Sequence, residues 1–316
     1  MSDFALHDGK TKPAILLAGL TVLKDGQALI NAHFSDIEDI NESPSILVPW
    51  TPAGPGKPVL VEKGVTSQDL APDGCGETLA LAFDGTLYTL REDRVLTQKA
   101  LPEEIEPNPL HWMFAIRTVQ SNVYAVGITR SVYRRDANGV WDAYDTGIAG
   151  SGTEEDLARG MLDIDGQAEN DLTAVGLAGE IWHCENDIWR QAESPTSERL
   201  NAVRYIGGDT VVVCGSRGLV LKGYGDLWEV IQTPSGIEDF WSVESFDGRV
   251  FTACSGGVYE LIGGTLSPVD MGLGRRPTSG YLCAGGGLLW SVGNTDVAVF
   301  DGNRWRDVPT PYRRLP

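Results

Sequence analysis

Helical periodicity is missing from this sequence. No long stretch places apolar residues at 3.6-residue spacing, and 38 glycines interrupt any window long enough to sustain a helix. All-α and alternating α/β architectures are thereby excluded. Histidine is scarce, and His7, His33, His111 and His183 show no HxH, HxxxH or HExxH spacing, so no metal cluster is encoded locally. The five cysteines (Cys75, Cys184, Cys214, Cys254, Cys283) are scattered through strand-like segments without a CxxC, and their total is odd. Neither a zinc site nor a full disulfide framework follows, and buried thiols in a reducing compartment are expected. Lys and Arg number 25 against 44 Asp and Glu, a net charge of −19. That removes nucleic acid and anionic membrane as partners, since both require a basic footprint. No apolar run reaches transmembrane length, and the first residues place Asp3 and Asp8 where a signal peptide would be basic, so a cytoplasmic location is expected. Catalytic signatures are absent too. There is no GxSxG elbow and no P-loop, and the Gly-rich run at Cys283 lacks a Lys and a following helix. Asp36, Glu38 and Asp39 lack the Asp-x-Asp-x-Asp order and closing Glu of a calcium loop. Asp163 and Asp165 share one face of a strand, yet lie before a turn, where Asp is ordinary. No catalytic residue, metal or cofactor is expected.

What is present is a repeat. The segments LTAVGLAGEIWHCENDIW and VVVCGSRGLVLKGYGDLW each read as apolar strand, Gly-containing turn, apolar strand, tight polar turn and Trp, and Trp189 and Trp228 stand 39 residues apart. A period near 40 with about four short strands per unit is the mark of a β-propeller blade. Further copies end at Trp141, Leu266 and Trp305, and an earlier one puts Val95 in the Trp position. Residues 1–64 hold four apolar runs separated by turn residues and read as a divergent first blade, ahead of the repeats in residues 65–316. The expectation is a single domain over 1–316: an all-β, seven-bladed β-propeller with four antiparallel strands per blade. The sequence leaves open how the ring closes.

Two positional expectations follow. Aligning the repeats on their turns brings Ala115, Gly160, Ala202, Ser242 and Gly280 together, which suggests a crowded inner strand that tolerates only small side chains. The Trp position opens the outer strand, where Trp141, Trp189, Trp228 and Trp305 would wedge between neighbouring blades. The opposite reading, an aromatic platform for a sugar, needs those rings in solvent.

The turns FDGNRW (Phe300 to Trp305), RRDANGVW (Arg134 to Trp141) and CENDIW, with the AVG strands at Val126 and Val175 and the related SVG at Val292, resemble degenerate Asp-box repeats. Over about 240 residues the chain is similar to sialidase-like, photosystem-assembly-factor-like and WD-like propellers. The full order Ser-x-Asp-x-Gly-x-x-Trp does not occur. The Arg cluster and Tyr-Glu pair that a sialidase implies have no matching residues here, whereas the assembly-factor resemblance implies non-enzymatic protein binding.

In a propeller, the second-to-third-strand turns and the blade-to-blade connections share one rim. The long connections fall there and carry Glu103, Glu104, Glu106, Glu154, Glu155, Asp156, Glu198, Glu238 and Asp239. These are the candidate binding residues for a basic protein partner. The functional expectation is a non-enzymatic platform, in one version an immunity protein that plugs a cationic toxin such as a nuclease. The rival is a glycan-binding or glycan-cleaving propeller using carboxylates at the channel mouth.

Overall fold

The computed structural model describes residues 15–23, 27–34, 43–72, 76–91, 94–101, 112–148 and 158–310. Alternating apolar positions and Gly-, Asp- and Asn-containing turns fold these residues into seven separate antiparallel sheets. Blade 1 has β1 (Ile15–Val22), β2 (Ala28–Phe34) and β3 (Ser45–Thr51), with two short outer pieces, β4 (Gly54–Pro55) and β5 (Val59–Val61), both paired to β3. Blade 2 has β6 (Val65–Leu70), β7 (Glu77–Ala82), β8 (Thr86–Arg91) and β9 (Arg94–Ala100). Blade 3 has β10 (Met113–Val119), β11 (Asn122–Gly127), β12 (Val132–Arg135) and β13 (Trp141–Ala143). Blade 4 has β14 (Met161–Ala168), β15 (Asp171–Gly176), β16 (Ile181–Glu185) and β17 (Ile188–Gln191). Blade 5 has β18 (Leu200–Tyr205), β19 (Val211–Gly215), β20 (Val220–Tyr224) and β21 (Leu227–Val230). Blade 6 has β22 (Ser242–Phe246), β23 (Arg249–Cys254), β24 (Gly257–Ile262) and β25 (Thr265–Pro268), and blade 7 has β26 (Tyr281–Gly285), β27 (Leu288–Val292), β28 (Val297–Phe300) and β29 (Trp305–Val308). The seven-bladed expectation holds, with blade 1 departing from four strands. No helix among the described residues is long and apolar enough to cross a membrane.

The core lies between blades. Each cluster of buried side chains draws on two neighbouring sheets, and each wedge residue packs toward the blade before its own. Trp189 is buried against blade 3, with its indole N–H donating to Tyr144 O at 2.7 Å. Trp305 stacks on Phe300, ring centroids 5.1 Å apart, in the wedge between blades 6 and 7. Leu266 fills the place between blades 5 and 6. Trp141 and Trp228 pack at the edges of their wedges and remain half-buried. Val95 does not fit the pattern. It is exposed, so blade 2 has no wedge residue at that position.

The ring closes where blade 7 meets blade 1. Trp50 and Trp290, neither at the repeated Trp position, are wholly buried there among Leu17, Ile30, Val48, Val292 and Val299. The Leu17 N–H donates to Asn294 O at 3.0 Å. Among the described residues, the strands of blade 1 and blade 7 form two separate sheets, which meet at the seam by packing and by the Leu17–Asn294 bond.

The recurrent glycine after the second strand has a steric cause. At Gly127, Gly176 and Gly215 a Cβ would come within 3.0 Å of the carbonyl oxygen of Trp112, Gly160 or Arg199, the residue that leads the chain into the inner strand.

Candidate functional site

The inner strands β1, β6, β10, β14, β18, β22 and β26 surround the axis, and two of their positions line it. In β1, β6, β10, β14 and β18 the register slips by one residue near the start of the strand, a β-bulge repeated in five blades. The pairing register corrects the small-residue expectation. Ala115, Ala202 and Ser242 share their register with Gly19, Ser67, Asp163 and Tyr281, while Gly160 and Gly280 precede their strands. The position is not restricted to small residues: in blade 7 it is Tyr281, which lines an axial cavity of about 140 Å³.

Two residues further along each strand comes the series Thr21, Asp69, Arg117, Asp165, Arg204, Glu244 and Cys283. From blade 2 to blade 6 its charges alternate in sign. Arg117 lies between carboxylates, with Nη1 3.9 Å from Asp69, Nη2 3.5 Å from Asp163 and Nε 4.0 Å from Asp165. Arg204 reaches Asp165 at 3.6 Å and Glu244 at 3.3 Å. The carboxylates also accept main-chain amides from the next blade, and so fasten the sheets together at the axis. Asp69 takes the Thr118 N–H at 2.9 Å, Asp163 that of Val203 at 3.0 Å, Asp165 that of Tyr205 at 2.8 Å and Glu244 that of Ala284 at 3.4 Å. Ser67 and Ser242 do the same with their hydroxyls, for Ile116 and Leu282. Asp163 and Asp165, which read as ordinary turn residues in the sequence, are therefore buried inter-blade ties.

Four carboxylates face two guanidiniums in this network. Burial pushes the Asp69 and Glu244 carboxyls above the ordinary carboxylate range, although Arg117 and Arg204 pull them down. A carboxyl raised in the folded state binds protons that the unfolded chain has already released. Its contribution is thus complete below the unfolded values of 3.8 and 4.5 and is lost as pH rises through the folded ones. The double variant Asp69→Asn/Glu244→Gln keeps acceptor oxygens for the amides. Its stability, measured by urea unfolding from about pH 4 upward, is expected to fall less steeply with pH than that of the parent chain. Parallel curves would show that these two groups do not titrate abnormally.

The rim on which the inner strands begin also carries the blade-to-blade connections. Glu103, Glu104, Glu106, Glu154, Glu155 and Asp156 lie outside the described residues. The other three candidates are engaged within the protein. Glu198 pairs with Arg217 at 2.8 Å, and Asp239 accepts the Arg217 N–H at 2.9 Å and meets Arg199 at 3.4 Å. Glu238 accepts from the Ser255 hydroxyl and remains exposed. On the same rim Glu180 is buried between Arg130, at 2.8 Å, and Arg159, at 3.1 Å, with the Trp182 N–H also donating to it. Burial alone would raise that carboxyl, but the bonds from Arg130 and Trp182 and the adjacent charges hold it below its usual value. Arg275 pairs with Asp296 and Asp307.

Sequence reading missed the aromatic character of this rim. Phe114 and Leu162 occupy bulge positions lining the cavity, and Trp241 lines it from the corresponding place in blade 6. Phe83 connects Phe114, at 5.9 Å, to Trp112, at 5.2 Å. The signal available in the sequence was a large apolar residue just before the inner-strand pattern in three blades, at Phe114, Leu162 and Trp241. On the opposite rim, His183 is a packing residue, edge-on to Tyr224 at 4.9 Å, while Asp171 accepts from Tyr205 and Tyr224.

Seven sheets around a polar axis, with the connections gathered on one rim, define a WD40-like β-propeller. The chain is similar in fold to the WD40 β-propeller domain of Doa1, with a TM-score of 0.67 over 92% of this chain and 93% of that one, at 9% sequence identity. No protein-family model matches the sequence. In sequence it is similar to the Immune protein Tsi7 of Pseudomonas aeruginosa, with 36% identity over 193 residues. The matched part is 61% of this chain and 63% of that protein, so the chain spans less than two thirds of the relative's length.

Proposed function

We propose that this protein is an immunity protein, which neutralises a cognate toxin by binding it and catalyses no reaction itself. The observation that carries the reading is the 36% identity to an immune protein. The propeller supports it, because a rigid ring presenting connections on one rim is a common platform for protein partners. The axial carboxylates support it as well, since they hold amides and guanidiniums of adjacent blades, and Asp163 alone of the four lines the axial cavity. Burial of Trp189 and Trp305 in the wedges removes them as a sugar platform.

The partner in this proposal is basic, a cationic toxin such as a nuclease, drawn by the net charge of −19 to the rim bearing Glu103, Glu104, Glu106, Glu154, Glu155, Asp156, Glu198, Glu238 and Asp239. The complex forms in the cytoplasm and involves no nucleic acid or membrane. Co-expression with a toxin, taken from the products of neighbouring genes, tests it. Cells are expected to survive only when both are made, with a stoichiometric complex whose association slows as salt is raised. Equal killing with and without this protein would refute the immunity reading. A complex indifferent to ionic strength would refute the electrostatic part.

A further inference from the structure

Two indoles at the channel mouth stay largely in solvent although each touches the neighbouring blade, Trp112 through Phe83 and Trp241 through Arg199. Trp112 and Trp241 are 40% and 43% exposed, unlike the indoles of the wedges and the seam. Arg199 lies over the Trp241 ring, 4.9 Å from its centroid, so that this indole already takes a guanidinium on its face. Half-exposed Trp beside Arg is the composition that dominates binding energy at protein interfaces. The cavity that Trp241 borders has room for one ring or one extended side chain. It is lined by Phe114, Tyr281 and Asp163, and the network around it holds four carboxylates to two guanidiniums. Arg117 and Arg204 also line it, but each is committed to at least two of those carboxylates.

We propose that the channel mouth is a socket for a cationic side chain of the bound toxin, an arginine or lysine at the tip of a projecting loop. Phe114, Tyr281 and Trp241 form its walls, and Trp112 extends the contact onto the rim. The inference rests on the immunity reading for the identity of the partner. The chemistry of the socket comes from the aromatic faces, from Asp163 on its wall and from the carboxylates of the network behind it, which outnumber the guanidiniums.

Two measurements separate the socket from that reading. In the first, the indole N–H resonances of the ¹⁵N-labelled protein are followed while N-acetyl-arginine amide is added, with the neutral citrulline amide in parallel. The Trp241 resonance is expected to shift saturably with arginine and at least fivefold more weakly with citrulline, and the buried Trp189 is expected not to move. Absence of a saturable shift, or equal shifts with both amides, overturns the socket. In the second, binding of the toxin is compared for the parent, Trp112→Ala, Trp241→Ala and a control on the opposite rim, Leu227→Ala. Each Trp variant is expected to raise Kd at least tenfold and the control to leave it unchanged. Because both indoles are partly in solvent, the variants are expected to fold, which their unfolding midpoints check. Normal toxin binding by folded Trp variants would overturn the socket and leave the immunity reading standing. Arginine-selective shifts without toxin protection would support the socket and count against that reading.

Discussion

Replacing Arg204 with Met is expected to lower the free energy of unfolding by about 3–5 kcal/mol, read as a fall in the urea midpoint. The guanidinium lies 3.6 Å from Asp165 and 3.3 Å from Glu244, and its removal leaves two buried carboxylates without that counter-charge. The loss should be larger at pH 8 than at pH 5. Once the cation that pulls it down is gone, the Glu244 carboxyl rises further, so at low pH it takes up a proton instead of remaining as an isolated charge. Adding Glu244→Gln to Arg204→Met should recover part of the loss, and the double-mutant cycle isolates their coupling. If the two effects simply add, the axial charges act independently and do not form a network.

Trp290→Ala is expected to cost about 3–5 kcal/mol, the range for removing a large aromatic from a core. Its indole is wholly buried at the seam between blades 7 and 1, where the described residues of the two sheets meet through side-chain packing and a main-chain contact. Trp290→Phe should cost less than the Ala change, because the ring it retains still fills part of the seam and the indole N–H it deletes has no hydrogen-bond partner. Trp228, half-buried at its wedge, serves as the comparison. A Trp290→Ala variant no less stable than Trp228→Ala would mean that the seam draws its strength from elsewhere.

Each electrostatic tie at the axis joins residues about one blade apart, as with Asp163 and Val203 or Asp165 and Tyr205. Such pairs have no local signature. Asp163 and Asp165 look like turn residues until the ring brings blade 5 beside them. In β14 two register shifts explain the misplaced small-residue position, since an extra residue in a strand moves every later side chain to a different neighbour. Counting back from a turn is blind to the extra residues of β14 and so lands on Gly160, whereas β26 carries no bulge and Gly280 lies one residue outside it.

The sequence by itself determined the blade period, the strand character, the number of blades and the wedge role of Trp189 and Trp305. All of these follow from alternation, turn chemistry and bulk, which act within a few residues along the chain. Only the tertiary structure decided how the ring closes around Trp50 and Trp290, which charges meet at the axis, and that Phe114 and Trp241 turn into its mouth. Those outcomes depend on curvature and register accumulated over seven sheets, so no single stretch of chain contains them.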